Sequence, residues 1–326
     1  MDDLALFHKG KSHTPVEAPA PLAPLADTHG HLAHFTRGDM PDVLCRAALV
    51  GVRLLVVPVD PVSDVGPKGR FGSVQGFLAW MDKGVEEAAD RILEALDGGF
   101  VPAVVGSSPF RLLDQVRIIA GVHPYGAPDV DEGALERLDA LLASPRAVGV
   151  GEIGLDFGPW NELGPEIQME AFRTQLRIAH ERALPVELHL RDGADDHLGH
   201  DLALQVLGEE GVPEAGCDLH CFTDSPEVMA PFAEMGCRIA FGGAATFNRS
   251  EDIRAAIAAC PEHLIISETD APYMAPVPLR GQECEPAMVA FSAALIADVR
   301  ERALSIPRVQ TYTALWDNAR RFFGLA

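Results

Sequence analysis

Six side chains have the types and spacing of a binuclear metal centre: His29 and His31 in Asp-Thr-His-Gly-His, then Glu152, His189, His220 and Asp270. A mixed set of imidazole and carboxylate ligands accepts zinc, manganese or magnesium. His29 and His31 stand two apart on a strand-like segment, so their side chains share a face and can grip one ion. Glu152 follows Val148-Gly149-Val150-Gly151, surroundings too small and apolar to solvate a carboxylate, so a buried acid there needs a cation or a tight ion pair. His189 and His220 close the runs Val186-Glu187-Leu188 and Asp218-Leu219, and Asp270 ends residues 264–269. Taken singly, each is an ordinary core or rim group. The metal reading rests on all six recurring at the ends of successive apolar runs. Asp27, just ahead of His29, is placed to orient a neighbouring imidazole.

Such residues act together only if strands bring their C-terminal ends to one place. The strand-like runs are residues 24–28, 53–59, 116–122, 147–155, 185–190, 217–222, 237–241 and 264–268. Amphipathic helical patterns lie between them, among them 132–142 and 168–182, with apolar residues three and four apart. Ser225 and Ser250, each followed by acids, read as helix starts with a capping oxygen. Eight strands alternating with helices predict an α/β fold, a single TIM-type (β/α)8 barrel, whose chemistry sits at the C-terminal strand ends. Residues 1–24 read as an N-terminal leader, extended through the Pro/Ala alternation of 14–24, and residues 25–326 as the barrel. Residues 60–113 exceed one ordinary crossover and read as an insertion after the second strand, with a helix over 77–96 and the apolar run 101–105.

The formal net charge of −22 on 326 residues disfavours nonspecific attraction to a polyanion such as DNA. No run approaches the roughly 18 apolar residues of a membrane span, and the N-terminus lacks the pattern of a signal peptide. A cytoplasmic protein without a membrane or an obligate protein partner is expected. The six cysteines form no Cys-x-x-Cys pair and read as free thiols.

The segments DTHGHL, GVHPY, GEIGLD, HLRD, HCFTDSPE, ETDAPYMAP and NARRFF, in that order from Asp27 to Phe323, resemble the TatD family of metal-dependent deoxyribonucleases. The resemblance implies two divalent ions, one held by His29, His31, Glu152 and Asp270, and a second held by His189 and His220 with Glu152 bridging. By general two-metal logic such ions activate water and stabilise both the attacking and the leaving oxygen of a phosphodiester. The resemblance also makes Asp270 the proton acceptor, with Glu152 beside it in catalysis, and His123 and Arg191 contacts of the scissile phosphate. Two departures stand out. Gly30 replaces the usual Cys between the first two histidines, with no ligand lost. In Leu279-Arg280-Gly281-Gln282-Glu283-Cys284-Glu285-Pro286, Gln282 and Glu283 stand where the family carries basic residues.

These readings converge on a hydrolase of ester bonds, a deoxyribonuclease or phosphodiesterase that acts on DNA ends or short oligonucleotides and binds polymeric DNA weakly. The alternatives are a related amidohydrolase-type enzyme for small amides or esters, and a binding protein that retains its metals. Outside this set, His197 and His200 read as a solvated helix start, and Trp160 as a wall of the site.

Overall fold

The computed structural model describes residues 5–103, 108–194 and 197–325. Val104 and Val105 of the apolar run 101–105, and Asp195 and Asp196 ahead of His197, lie outside them. Strands β1 (Phe7–Lys9) and β2 (Thr14–Val16) form an antiparallel hairpin. The barrel strands are β3 (Leu25–Asp27), β4 (Val52–Val59), β5 (Val116–Ala120), β6 (Ala147–Asp156), β7 (Val186–Arg191), β8 (Cys217–Leu219), β9 (Arg238–Phe241) and β10 (Ile265–Ser267). Between and after them run α1 (Met40–Val50), α2 (Val74–Asp97), α3 (Glu132–Leu142), α4 (Pro165–Arg182), α5 (Leu198–Glu210), α6 (Pro226–Glu234), α7 (Glu251–Ala259), α8 (Val289–Leu304) and α9 (Arg308–Phe322).

Strands β3 to β10 pair in chain order, all parallel. The ends meet where Thr28 N donates to Ser267 O at 3.2 Å and His31 N to Ala271 O at 2.7 Å. The expected (β/α)8 barrel is therefore present. Parallel strands covered on both faces read as continuous apolar runs, as in β4, where all eight residues are buried. Ala26, Leu54, Val56, Ile119, Val148, Ala240 and Ile266 form a smaller core inside the barrel, closed by Phe322 and Phe323.

Local chemistry starts and stops the helices. Asp39 accepts from Asp42 N at 3.0 Å to begin α1, and Gly51 ends it in the left-handed region at φ 111°. Asp131 and Ser73 cap α3 and α2 in the same way. Ser225 and Ser250 do precede α6 and α7, but neither side chain caps its helix. The Ser250 hydroxyl donates to Ala244 O instead.

Three other expectations change. The segment read as an extended leader contains the β1–β2 hairpin, anchored by Phe7, whose ring meets Phe291 of α8 edge-on at 5.4 Å. The stretch read as an insertion is the β4–β5 crossover itself, lengthened: α2 buries Phe77, Met81, Ala88 and Ile92 as part of the helical layer, and Gly84 lies against Met40 of α1. Finally, Cys217 and Cys237, brought side by side by the pairing of β8 with the start of β9, are placed as a disulfide pair with Cα atoms 4.9 Å apart. Cys45, Cys221, Cys260 and Cys284 are free. Among the described residues, no helix is long and apolar enough to cross a membrane.

Candidate metal centre

All six residues singled out for metal binding converge at the C-terminal end of the barrel. Glu152 lies at the centre, 8% exposed, and its two oxygens face different histidine pairs. Oε2 is 3.8 Å from His29 Nε2 and 3.6 Å from His31 Nε2, while Oε1 is 3.1 Å from His189 Nδ1 and 3.3 Å from His220 Nε2. Asp270 Oδ1 stands 3.9 and 3.8 Å from the Nε2 atoms of His29 and His31. Its backbone is left-handed at φ 55°, a conformation that Asp tolerates better than most residues. Groups of ligand atoms close enough to share an ion include His29–His31–Glu152, Glu152–His189–His220 and, across the two pairs, His29–His220–Asp270.

The electrostatics suit cations. Burial lowers His29 well below the usual imidazole range and His31 to about 4, so both present neutral nitrogens at neutral pH. Burial pushes against ionisation of Glu152 as well, but His29, His189, His220 and His31 outweigh it and hold its pKa well down. At Asp270 burial wins, helped by Glu268 and Glu152, and its pKa rises to about 7. His189 and His220 are raised: burial acts against their charged forms, but Asp156 and Glu152 at His189, and Glu268 and Glu152 at His220, prevail. Seven donor atoms with one anion between four imidazoles are a donor set that fits divalent ions.

A second layer orients the rings. His189 Nε2 is 3.0 Å from Asp156 Oδ2, His220 Nδ1 is 3.5 Å from Glu268 Oε2, and His29 Nδ1 is 2.6 Å from Glu187 Oε1. None of these three acids was singled out from sequence. The available signal was spacing: Glu187 and Glu268 each stand two residues before a candidate ligand, hence on the same strand face. Asp27 turns out not to touch an imidazole ring. It accepts from Thr269 N at 2.8 Å and bonds Thr269 Oγ1 at 2.7 Å, which ties β3 to the end of β10.

A cavity of about 430 Å³ opens onto Glu152, lined among others by His31, His34, Asp60, Asp64, His123 and Tyr273. His123 Nδ1 accepts from Tyr125 N at 3.2 Å, and burial lowers the ring to about 3. The neutral ring then carries its proton on Nε2, a donor for an anionic oxygen. Arg191 sits outside the cavity lining, exposed on the rim against Gly158. Trp160 is 77% exposed and walls nothing. His200, read as solvated, is buried with Nδ1 2.8 Å from Asp192 Oδ2, whereas His197 is exposed. Glu283 is not a free anion beside the site: it accepts from Thr36 N, Thr36 Oγ1, Arg37 N and Gly38 N at 2.7 to 3.3 Å, clamping that loop.

The family model of TatD-related DNases matches residues 26–324, which include every residue of the cluster. The chain belongs to this family. It is thus a metal-dependent hydrolase, and it is similar to curated relatives described as such. Over 65% of this chain and 79% of the relative it is 33% identical to the uncharacterized metal-dependent hydrolase YabD of Bacillus subtilis. Over 63% of this chain and 76% of the relative it is 34% identical to the 3'-5' ssDNA/RNA exonuclease TatD of Klebsiella pneumoniae. The crystal structure of YjjV, a TatD homologue from Escherichia coli, superposes with a TM-score of 0.68 at 25% identity, covering 94% of this chain and all of that one. A TatD family hydrolase from Entamoeba histolytica shares the fold, with a TM-score of 0.65 at 17% identity over 93% of this chain and 99% of that one.

Proposed function

We propose that this TatD-family hydrolase is a two-metal phosphodiesterase that acts on DNA ends or short oligonucleotides. The observation that carries the proposal is the division of Glu152, one oxygen facing His29 and His31 and the other facing His189 and His220. His29, His31, Glu152 and Asp270 hold one ion, and Glu152, His189 and His220 the other. Divalent ions bound there supply Lewis acidity that activates water and offsets charge on the phosphodiester oxygens. Asp270, whose carboxylate faces the same ion as His29 and His31, accepts the proton of the attacking water. His123, through its Nε2–H, hydrogen-bonds an oxygen of the scissile phosphate and orients it, and Arg191 on the rim is the second contact of that phosphate. The exonuclease name of the Klebsiella relative supports the same substrate class.

One observation favours the second reading, a hydrolase of small amides or esters: the carboxylates Asp60, Asp64 and Asp129 line the cavity and would repel a run of phosphates. A panel of single-stranded DNA, a simple phosphodiester and N-acyl amides, each with zinc, manganese and magnesium, separates the two. Metal-dependent release of nucleotides from single-stranded DNA is expected. Turnover of amides with DNA and the phosphodiester left intact would overturn the phosphodiesterase assignment.

A further inference from the structure

Glu187 makes a shorter contact to an imidazole than either Glu152 or Asp270 does, yet it lies beneath the ligand cluster rather than in it. Its Oε1 is 2.6 Å from His29 Nδ1, and both side chains are fully buried. The period of two on β7 puts Glu187 on the same face as His189, one step deeper in the barrel. The neighbouring strand makes room for it: a Cβ on Gly151 would fall 2.7 Å from Glu187 Cβ and 3.0 Å from its carbonyl oxygen. Asp218, another acid, stands in register beside it on β8, and the register continues to Arg238 on β9. Glu187 Oε2 has no hydrogen-bond partner among the described residues. A buried carboxylate is costly unless something uses it, and its one polar partner here is His29.

The other nitrogen of His29 faces His31, Glu152 and Asp270, at 3.0, 3.8 and 3.9 Å. We propose that Glu187 is a positioning residue: it accepts the Nδ1 proton of His29 and thereby presents the Nε2 lone pair to the ion shared with His31, Glu152 and Asp270. The inference rests on the reading of His29 as a ligand. One proton serves the Nδ1–Oε1 contact, and a cation at Nε2 fixes that proton on Nδ1. His189 and His220 have their own acids in Asp156 and Glu268, so loss of Glu187 falls on one ion of the two.

The test uses the whole chain and binding alone, with Glu187→Leu and Glu187→Gln compared with wild type in manganese and zinc titrations. Wild type is expected to take up two ions. Glu187→Leu should weaken one of them by roughly ten- to hundredfold and leave the other unchanged. In the zinc-loaded wild type, the histidine nitrogen spectrum should show His29 protonated at Nδ1 with the proton shifted strongly downfield by its bond to Glu187; in Glu187→Leu the proton stays on Nδ1 but that hydrogen-bond shift is lost. Glu187→Gln keeps the shape and one accepting oxygen, but its amide can also turn and donate to Nδ1, so an intermediate loss is expected. Wild-type affinity for both ions in either folded variant would overturn the proposal, as would equal weakening of both. If Glu187→Leu does not fold, the Gln variant decides. A wild-type protein that takes up fewer than two ions would instead contradict the two-ion reading itself.

Discussion

Replacing Glu152 with Ala tests the bridging geometry most directly. Its two oxygens lie 3.1 to 3.8 Å from four imidazole nitrogens, so any ion held by either histidine pair sits close to this one negative charge. At an effective dielectric near 20, opposite unit charges about 4 Å apart attract by about 4 kcal/mol, which corresponds to a factor of about a thousand in affinity. A divalent ion feels more, and the variant also loses a ligand atom, while the desolvation of the buried carboxylate offsets part of this, so about a thousandfold is the expected scale for each site. Both affinities should therefore collapse together in Glu152→Ala. In Asp270→Ala only the ion near His29 and His31 should weaken, because the Asp270 oxygen closest to a ligand faces those two rings. Metal content by mass spectrometry after dialysis, with calorimetric titration of the stripped protein, reads both quantities. A Glu152→Ala protein that keeps one ion at wild-type affinity would refute the bridge.

Further outcomes follow from the same geometry. Asp270→Asn keeps the shape but cannot accept a proton, so turnover should fall by roughly a hundredfold or more with substrate affinity nearly unchanged; a wild-type rate across pH would remove Asp270 as the base. Because the Asp270 pKa is raised to about 7, its proton competes with the metal below that pH. Metal affinity measured by titration should rise about tenfold per pH unit up to about 7, steepened by the raised His220, and then flatten; a pH-independent affinity from 5 to 8 would contradict this. Gly151→Ala forces its new methyl against Glu187 and should cost about 1–3 kcal/mol in denaturant unfolding; wild-type stability would mean the strands yield more easily than the contact implies. Glu283→Lys should loosen the loop at Thr36–Gly38 and cost about 1 kcal/mol, discounted for its partial exposure. An unaltered unfolding midpoint would show that the clamp contributes nothing.

The sequence alone determined the barrel and the six-residue cluster. Eight apolar runs separated by helical periodicity leave few ways to bury a parallel sheet, and histidines or acids at the ends of those runs share one rim in a closed barrel. The family membership and the hydrolase class follow from motifs of that kind, because they are local strings. Tertiary structure decided what depends on distance between segments. The apolar stripe of residues 77–96 says that α2 has a face to bury, but only the fold decides that this face meets α1, where Gly84 lies against Met40. Glu283 looks like a lost cation in the string but is a loop clamp in space, because its partners at Thr36, Arg37 and Gly38 are some 245 to 247 residues away. The same holds for Cys217 and Cys237, which only strand pairing brings together. Glu187 is the clearest case: its spacing from His189 gave its face, but only the closed barrel, which folds β3 across to β7, puts its oxygen on His29 Nδ1.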